Sequence, residues 1–190
     1  MFSLLSSRCL CVSVVKTTMI EIQTPRLTLR SYTSDDLDLI AGLYADAEVT
    51  ASTKLGQLSR AQSEDNLNAY LSTWSKFGFG VCAAFDRVSG EYVGESGLFE
   101  RESQGDLALR YIIAKEFWGK GLAFEAAHAV IDHAFRAMDI DRVLAFVEGP
   151  NKASHHIARK LGFTEEGSMQ IAKCMLYRYA LSADAWSRRQ

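Results

Sequence analysis

The chain has 190 residues, 48% hydrophobic and 23% charged, with a net charge of −2. These values suit one globular domain that buries roughly 70% of the surface its unfolded chain exposes, without disulfide or metal staples. They provide no bulk charge for nucleic acid or an anionic membrane, and no apolar run approaches the roughly 20 residues of a membrane span.

Residues 1–18 carry no acid and are rich in Ser. Arg8 interrupts the apolar stretch and no small-residue cleavage site follows, so a leader peptide fits poorly, although an organellar transit peptide stays open. The expectation is a poorly ordered extension ahead of a single domain over residues 19–190. The four cysteines, Cys9, Cys11, Cys82 and Cys174, lack CxxC spacing, and no His cluster completes a metal site. Reduced thiols in a cytoplasmic protein, with no metal, are the reading.

Residues 26–32 alternate as a first strand behind Pro25. Ser34 is the expected cap of a helix that runs to about residue 47, with Leu37, Ile40, Leu43 and Tyr44 at helical spacing. Ser59 would cap a second helix whose inner face carries Leu67, Tyr70, Leu71 and Trp74. Gly78 and Gly80 break the pattern. Strands over about 80–85 and 92–100 follow, joined as a hairpin through Val88-Ser89-Gly90. A strand over about 107–114 leads to a long helix over 121–138, with Phe124, Ala127, Ile131, Ala134, Phe135 and Met138 on its apolar side. Then come a strand at 142–147, a short helix at 152–161 stopped by Gly162, and two strands near 164–169 and 173–181. The order β-α-α-β-β-β-α-β-α-β-β predicts a mixed α/β fold, not a doubly wound sheet.

The segment Glu116-Phe117-Trp118-Gly119-Lys120-Gly121 joins the strand to the long helix. Its glycines let backbone approach a ligand closely. The unpaired N–H groups of a helix start, at the positive end of the dipole, suit a diphosphate. A turn that uses glycine for geometry alone fits the local pattern equally well. Neither GxxxxGK[ST] nor GxGxxG is present, since Phe124 stands where the third glycine would be.

This loop resembles the Q/R-x-x-G-x-G/A acetyl-CoA signature of the GNAT acetyltransferase superfamily. It is most similar to the branch of ribosomal-protein N-terminal alanine acetyltransferases. Thr24 to Arg30 (TPRLTLR) resembles that branch's first strand, and Gly94 to Leu98 (GESGL) its third. Asn151 to Phe163 (NKASHHIARKLGF) resembles its second signature. Glu116 departs from the broad pattern, which has Gln or Arg there. The resemblance implies a mostly antiparallel sheet of about seven strands, splayed between the fourth and fifth, flanked by about four helices.

It also implies acetyl-CoA as co-substrate. Phe117, Trp118, Gly119, Lys120, Gly121, Leu122 and Ala123 would receive the pyrophosphate. Ile112 and Ile113 would pair with the pantetheine arm as an added half-strand. Pro150 would help end the neighbouring strand so that the two splay. Asn151 would bind the arm or the strand end; capping the short helix is its alternative. Ser154 would protonate the leaving thiolate.

The implied reaction is direct attack of a primary amine on the thioester, with a protein N-terminus as one acceptor. An α-amine with a pKa near 8 is about 10% neutral at pH 7, whereas a lysine amine is neutral well under about 0.1% of the time. The family's glutamate on the strand before the loop is missing. Ala108 holds its place, and Arg110 stands where a glycine is usual. Glu95, Asp106 and Glu148 are the substitutes, Glu95 first, acting through water. Arg110 would narrow the acceptor cleft, recognise an acidic group, or pair with a nearby acid. Alternatives to a peptide acceptor are a polyamine, an amino acid or an aminoglycoside; a non-catalytic acyl-CoA-binding module is the other reading. The charge balance points to no nucleic-acid or membrane partner, and the resemblance implies a monomer or homodimer.

Overall fold

Period-two alternation builds the first long strand. Leu27 and Leu29 are fully buried on one face of β2 (Leu27–Ser31), and a three-residue strand, β1 (Glu21–Gln23), pairs along its outer edge through Ile22 and Leu29. This computed structural model describes residues 20–51, 53, 56–100, 107–138, 140–172 and 174–189. The expected N-terminal extension, Cys9, Cys11 and Asp106 lie outside the described residues.

The helix expected over 34–47 is divided. Thr33 and Asp36 form a reciprocal cap on a short 3-10 turn, Ser34–Asp36, which leads into α1 (Leu37–Ala45). At Asp46 the chain leaves the helix. Its carboxylate then accepts from the backbone N–H groups of Glu48 and Val49 to start α2 (Ala47–Thr50). Ser59 and Gln62 form the capping box of α3 (Arg60–Phe77), and Gly78 closes that helix with φ 70°. Trp74 is buried and donates its indole N–H to the Val81 carbonyl, whereas Phe77 at the end of the helix is exposed.

The remaining elements are β3 (Val81–Asp86), β4 (Tyr92–Glu100), β5 (Leu107–Ile113), α4 (Leu122–Ala137), β6 (Arg142–Glu148), α5 (Lys152–Leu161), β7 (Thr164–Ile171), β8 (Cys174–Ser182) and α6 (Ala183–Ser187). The strands form one sheet in the order β1-β2-β3-β4-β5-β6-β8-β7. It has eight strands, not seven; β1 is too short for alternation to reveal it. Two of the helices, α2 and α6, are likewise single turns.

The sheet separates two cores. Leu27, Leu29, Leu109, Ile113, Val143, Ala145 and Val147 pack with Leu122, Ala126, Val130 and Ile131 of α4. On the opposite face Val81, Ala83 and Ile112 pack with Ile40 and Tyr44 of α1 and Leu67 and Tyr70 of α3. Every neighbouring pair is antiparallel except β5 and β6, which run parallel and meet at one register position, Ala108 with Leu144. By contrast β4 and β5 stay paired from Gly94 with Ile113 to Glu100 with Leu107. Beyond Ala108 and Leu144 the two central strands diverge, as the resemblance implied.

Gly97 in β4 crosses β3 so closely that a Cβ would lie 2.3 Å from the Gly80 carbonyl oxygen and 2.4 Å from Val81 Cα. Both neighbours are backbone and cannot rotate away. Gly97→Ala is therefore expected to cost about 1–3 kcal/mol by overpacking. Urea unfolding measures it, and an unchanged midpoint would contradict this account of the sheet.

Candidate active site

The strand β5 ends at Ile113, and residues Lys115–Phe117 make one 3-10 turn. Gly119 and Gly121 then adopt φ 73° and 76°, a region where a side chain would be strained. Gly121 caps α4 with no side-chain hydrogen bond, and the first helical bond at that end is Glu125 N–H to the Gly121 carbonyl. The N–H groups of Leu122, Ala123 and Phe124 precede it and face the loop at the positive end of the dipole. Trp118 is half exposed, yet its indole N–H reaches the Ile113 carbonyl at 2.7 Å and ties the loop to the strand.

The opening Thr24-Pro25-Arg26 holds this loop from the other side. Arg26 donates through Nη1 to the Lys120 carbonyl at 2.8 Å and through Nε to the Glu125 carboxylate at 2.6 Å. Glu125 also accepts from the Arg26 backbone N–H and the Thr24 hydroxyl. Burial pushes the Glu125 carboxyl up, but these donors outweigh it and hold it below the ordinary carboxylate range. A carboxylate lowered in this way stabilises the folded state above its unfolded pKa, and the contribution fades as pH falls through the folded value.

The divergence of β5 and β6 opens a cleft of about 820 Å³ against this loop. Ile112, Ile113, Phe117, Trp118, Gly119, Gly121, Leu122, Ala123, Asn151 and Ser154 all line it. Lys120 stands outside that lining, with its ammonium 4.9 Å from the centre of the Phe117 ring. Asn151 takes the capping role: its side-chain oxygen accepts from the Ser154 N–H at 3.0 Å. Burial pushes the Tyr111 phenol up to about 12, and the nearby Ser154 hydroxyl opposes that rise. His156 lines the cleft, while His155 bonds the Tyr179 hydroxyl and His128 packs against Trp186.

On the other face of the sheet, Val49, Thr53, Phe99, Arg110, Phe146, Glu148 and Leu176 line the same cleft. Behind Arg110 lies Glu95, which is fully buried and does not line it. Glu95 receives the Arg110 Nε at 3.0 Å and the hydroxyls of Tyr44 at 2.8 Å, Tyr70 at 3.0 Å and Tyr32 at 3.3 Å. Arg110 also donates to the Tyr44 hydroxyl. Burial, and then the nearby carboxylate, raise the Tyr44 and Tyr70 phenols, so both stay protonated as donors. Burial would lower the Arg110 guanidinium, but Glu95 together with Tyr70, Tyr44 and Tyr32 outweighs it and raises it.

Nothing in helical periodicity marked these tyrosines as polar partners, because each reads as ordinary core. The available signal was Glu95 and Arg110 themselves, two charges inside otherwise apolar strands.

The GNAT acetyltransferase domain model matches residues 26–164. The chain belongs to the GNAT acetyltransferases. An uncharacterized N-acetyltransferase, p20 of Bacillus licheniformis, is 27% identical over 155 residues, covering 78% of this chain and 85% of that protein. The spermidine N(1)-acetyltransferase of Escherichia coli is 40% identical over 58 residues, 30% of this chain and 31% of that one. Among solved structures, a ribosomal L7/L12 α-N-protein acetyltransferase in complex with coenzyme A superposes with a TM-score of 0.77 at 21% identity. It covers 87% of this chain and 99% of its own. GNAT enzymes use acetyl-CoA and an amine acceptor. No described helix is long and apolar enough to cross a membrane.

Two outcomes follow from the two anchored groups. Arg26→Met removes both ties to the loop and is expected to weaken coenzyme A binding about tenfold, read by calorimetry, the equivalent of one charge-assisted hydrogen bond of about 1.5 kcal/mol. Arg110→Leu leaves Glu95 buried without its cation and should destabilise the fold by about 3–5 kcal/mol. The double variant Glu95→Leu, Arg110→Leu should recover most of that loss. Equal unfolding midpoints for single and double variants would refute the coupling.

Proposed function

We propose that this GNAT enzyme acetylates the α-amino group of a peptide or protein. The observation that carries the reading is Arg110 on the acceptor side of the cleft, held there by Glu95 and Tyr44. A guanidinium paired with Glu95 supplies no additional anionic partner for a polyamine or an aminoglycoside. It can donate to the carbonyl oxygen of the residue that bears a free α-amine. The name of the solved α-N-protein acetyltransferase points the same way, and the short spermidine match supplies the competing acceptor.

In this reading the unpaired N–H groups at the start of α4 bind the pyrophosphate, with Phe117 to Ala123 shaping the turn around it. The free edge of β5 at Ile112 and Ile113 pairs with the pantetheine arm, as an added strand would. Asn151 holds the first turn of α5, and so fixes Ser154 beside the cleft. The neutral amine attacks the thioester carbonyl from the side of the sheet that carries Arg110. The carbon–nitrogen bond forms, the carbon–sulfur bond breaks, and the Ser154 hydroxyl delivers a proton to the departing thiolate. A backbone N–H of the diverging strands stabilises the oxyanion. Glu95 contributes through Arg110, which it orients.

The test is release of free thiol from acetyl-CoA with four acceptors: a short peptide with a free α-amine, spermidine, a free amino acid and an aminoglycoside. The peptide is expected to turn over fastest, and Ser154→Ala should lower its kcat about 100-fold with little change in the KM for acetyl-CoA. Faster turnover of spermidine would overturn the acceptor assignment. Tight coenzyme A binding with no thiol release from any amine would leave only an acyl-CoA-binding module.

A further inference from the structure

We infer that Glu148 is the residue that takes the proton from the acceptor ammonium. The inference rests on the amine-acetylating reading above. The acceptor enters protonated and must lose a proton before it can attack, and Glu148 is the one carboxylate among the described residues that line the cleft. Its alternation on β6 settles the face on which it stands. Val143, Ala145 and Val147 pack into the core beneath α4, so Leu144, Phe146 and Glu148 project to the opposite face, the one that carries Arg110. Leu176, which pairs with Glu148 across β8, and Phe99 line the cleft on that same face.

The chain then turns directly from Glu148 to the helix that carries Ser154. The Glu148 carbonyl accepts from the Asn151 N–H at 2.9 Å, and the Asn151 side chain accepts from the Ser154 N–H at 3.0 Å. The Gly149 N–H, bonded to the Met175 carbonyl at 2.8 Å, ties the same turn to β8. Glu148 and Ser154 therefore sit at the two ends of one hydrogen-bonded turn, one on each side of the place where β5 and β6 part.

Among the described residues the Glu148 carboxylate forms no hydrogen bond or ion pair, and its side chain is only half-buried. Glu95 differs in each respect. It is fully buried, already accepts from Tyr32, Tyr44 and Tyr70, and is paired with Arg110. An acid so saturated has no open lone pair directed at a substrate. Glu148 does.

The protons balance. The ammonium nitrogen gives up two protons on its way to the amide. One passes to the Glu148 carboxylate and from there to water. The other leaves the tetrahedral nitrogen after attack and returns to the Ser154 oxygen, replacing the proton that its hydroxyl gives the thiolate. The products are the amide, the free thiol and one proton released to solvent. With Arg110 on the carbonyl oxygen and Glu148 on the ammonium, the acceptor half matches the two polar ends of an N-terminal residue.

The experiment compares wild type, Glu148→Gln and Glu148→Asp with the fastest acceptor of the panel over pH 6–10, alongside thermal protection by coenzyme A. Glu148→Gln is expected to lose 100-fold or more in kcat/KM at pH 7 while its protection by coenzyme A is unchanged. Its rate should then climb about tenfold per pH unit until the amine deprotonates unaided, near pH 8 for an α-amine. Glu148→Asp keeps the carboxylate and should keep the shape of the wild-type profile at a lower kcat. A glutamine variant with the wild-type rate and profile overturns the assignment, as does one that loses coenzyme A protection together with activity. Failure of wild type itself with every amine removes the parent reading, a result distinct from either.

Discussion

The parallel pairing of β5 with β6 stops after Ala108 and Leu144, and the rest of the molecule is arranged around that gap. In a continuous sheet the facing edges of the two strands would satisfy one another. Here they diverge, leaving backbone donors and acceptors of β5 in need of a partner, an unstable arrangement unless water or a ligand supplies it. An extended amide-bearing arm is such a partner. The gap also connects the two faces of the sheet, since residues from both line the one cleft.

Two sets of interactions keep the gap usable. On the donor side, Arg26 and Glu125 fasten the first strand to the loop and to the first turn of α4, and Trp118 fastens the loop to Ile113. The loop's own conformation needs positive φ at Gly119 and Gly121, which is costly to hold without such external ties. On the acceptor side, a buried carboxylate with three phenol donors and one guanidinium holds Arg110 at the cleft. A buried ion pair gains little net stability, since desolvation of both charges offsets their attraction. Its value here is orientation: Glu95, itself held by three phenols, sets the pose of Arg110.

The division of labour among acids follows from the same geometry. β4 and β5 present Glu95 and Arg110 to one face, where they neutralise one another. β6 presents Glu148 to that face at the strand's end, next to the turn into α5. A carboxylate surrounded by donors is a structural charge, and one left open in a cleft is available to chemistry.

Much of this was legible in the residues. Alternation and helical spacing placed the long strands and α3, α4 and α5, and the glycine pair at 119 and 121 marked the loop, because local sterics alone require glycine there. The family followed from the two signatures in their order. Three-residue β1 and the break at Asp46 were not legible, since elements of one turn or less carry no period. The gap between β5 and β6 cannot be derived from either strand, because both are ordinary buried strands whose separation depends on what each packs against. The same holds for the carboxylates. Sequence ranks Glu95 ahead of Glu148 among the acids near a candidate site. Only the tertiary structure packs Tyr32, Tyr44, Tyr70 and Arg110 around the first, from three elements and the segment after β2, and leaves the second facing the cleft.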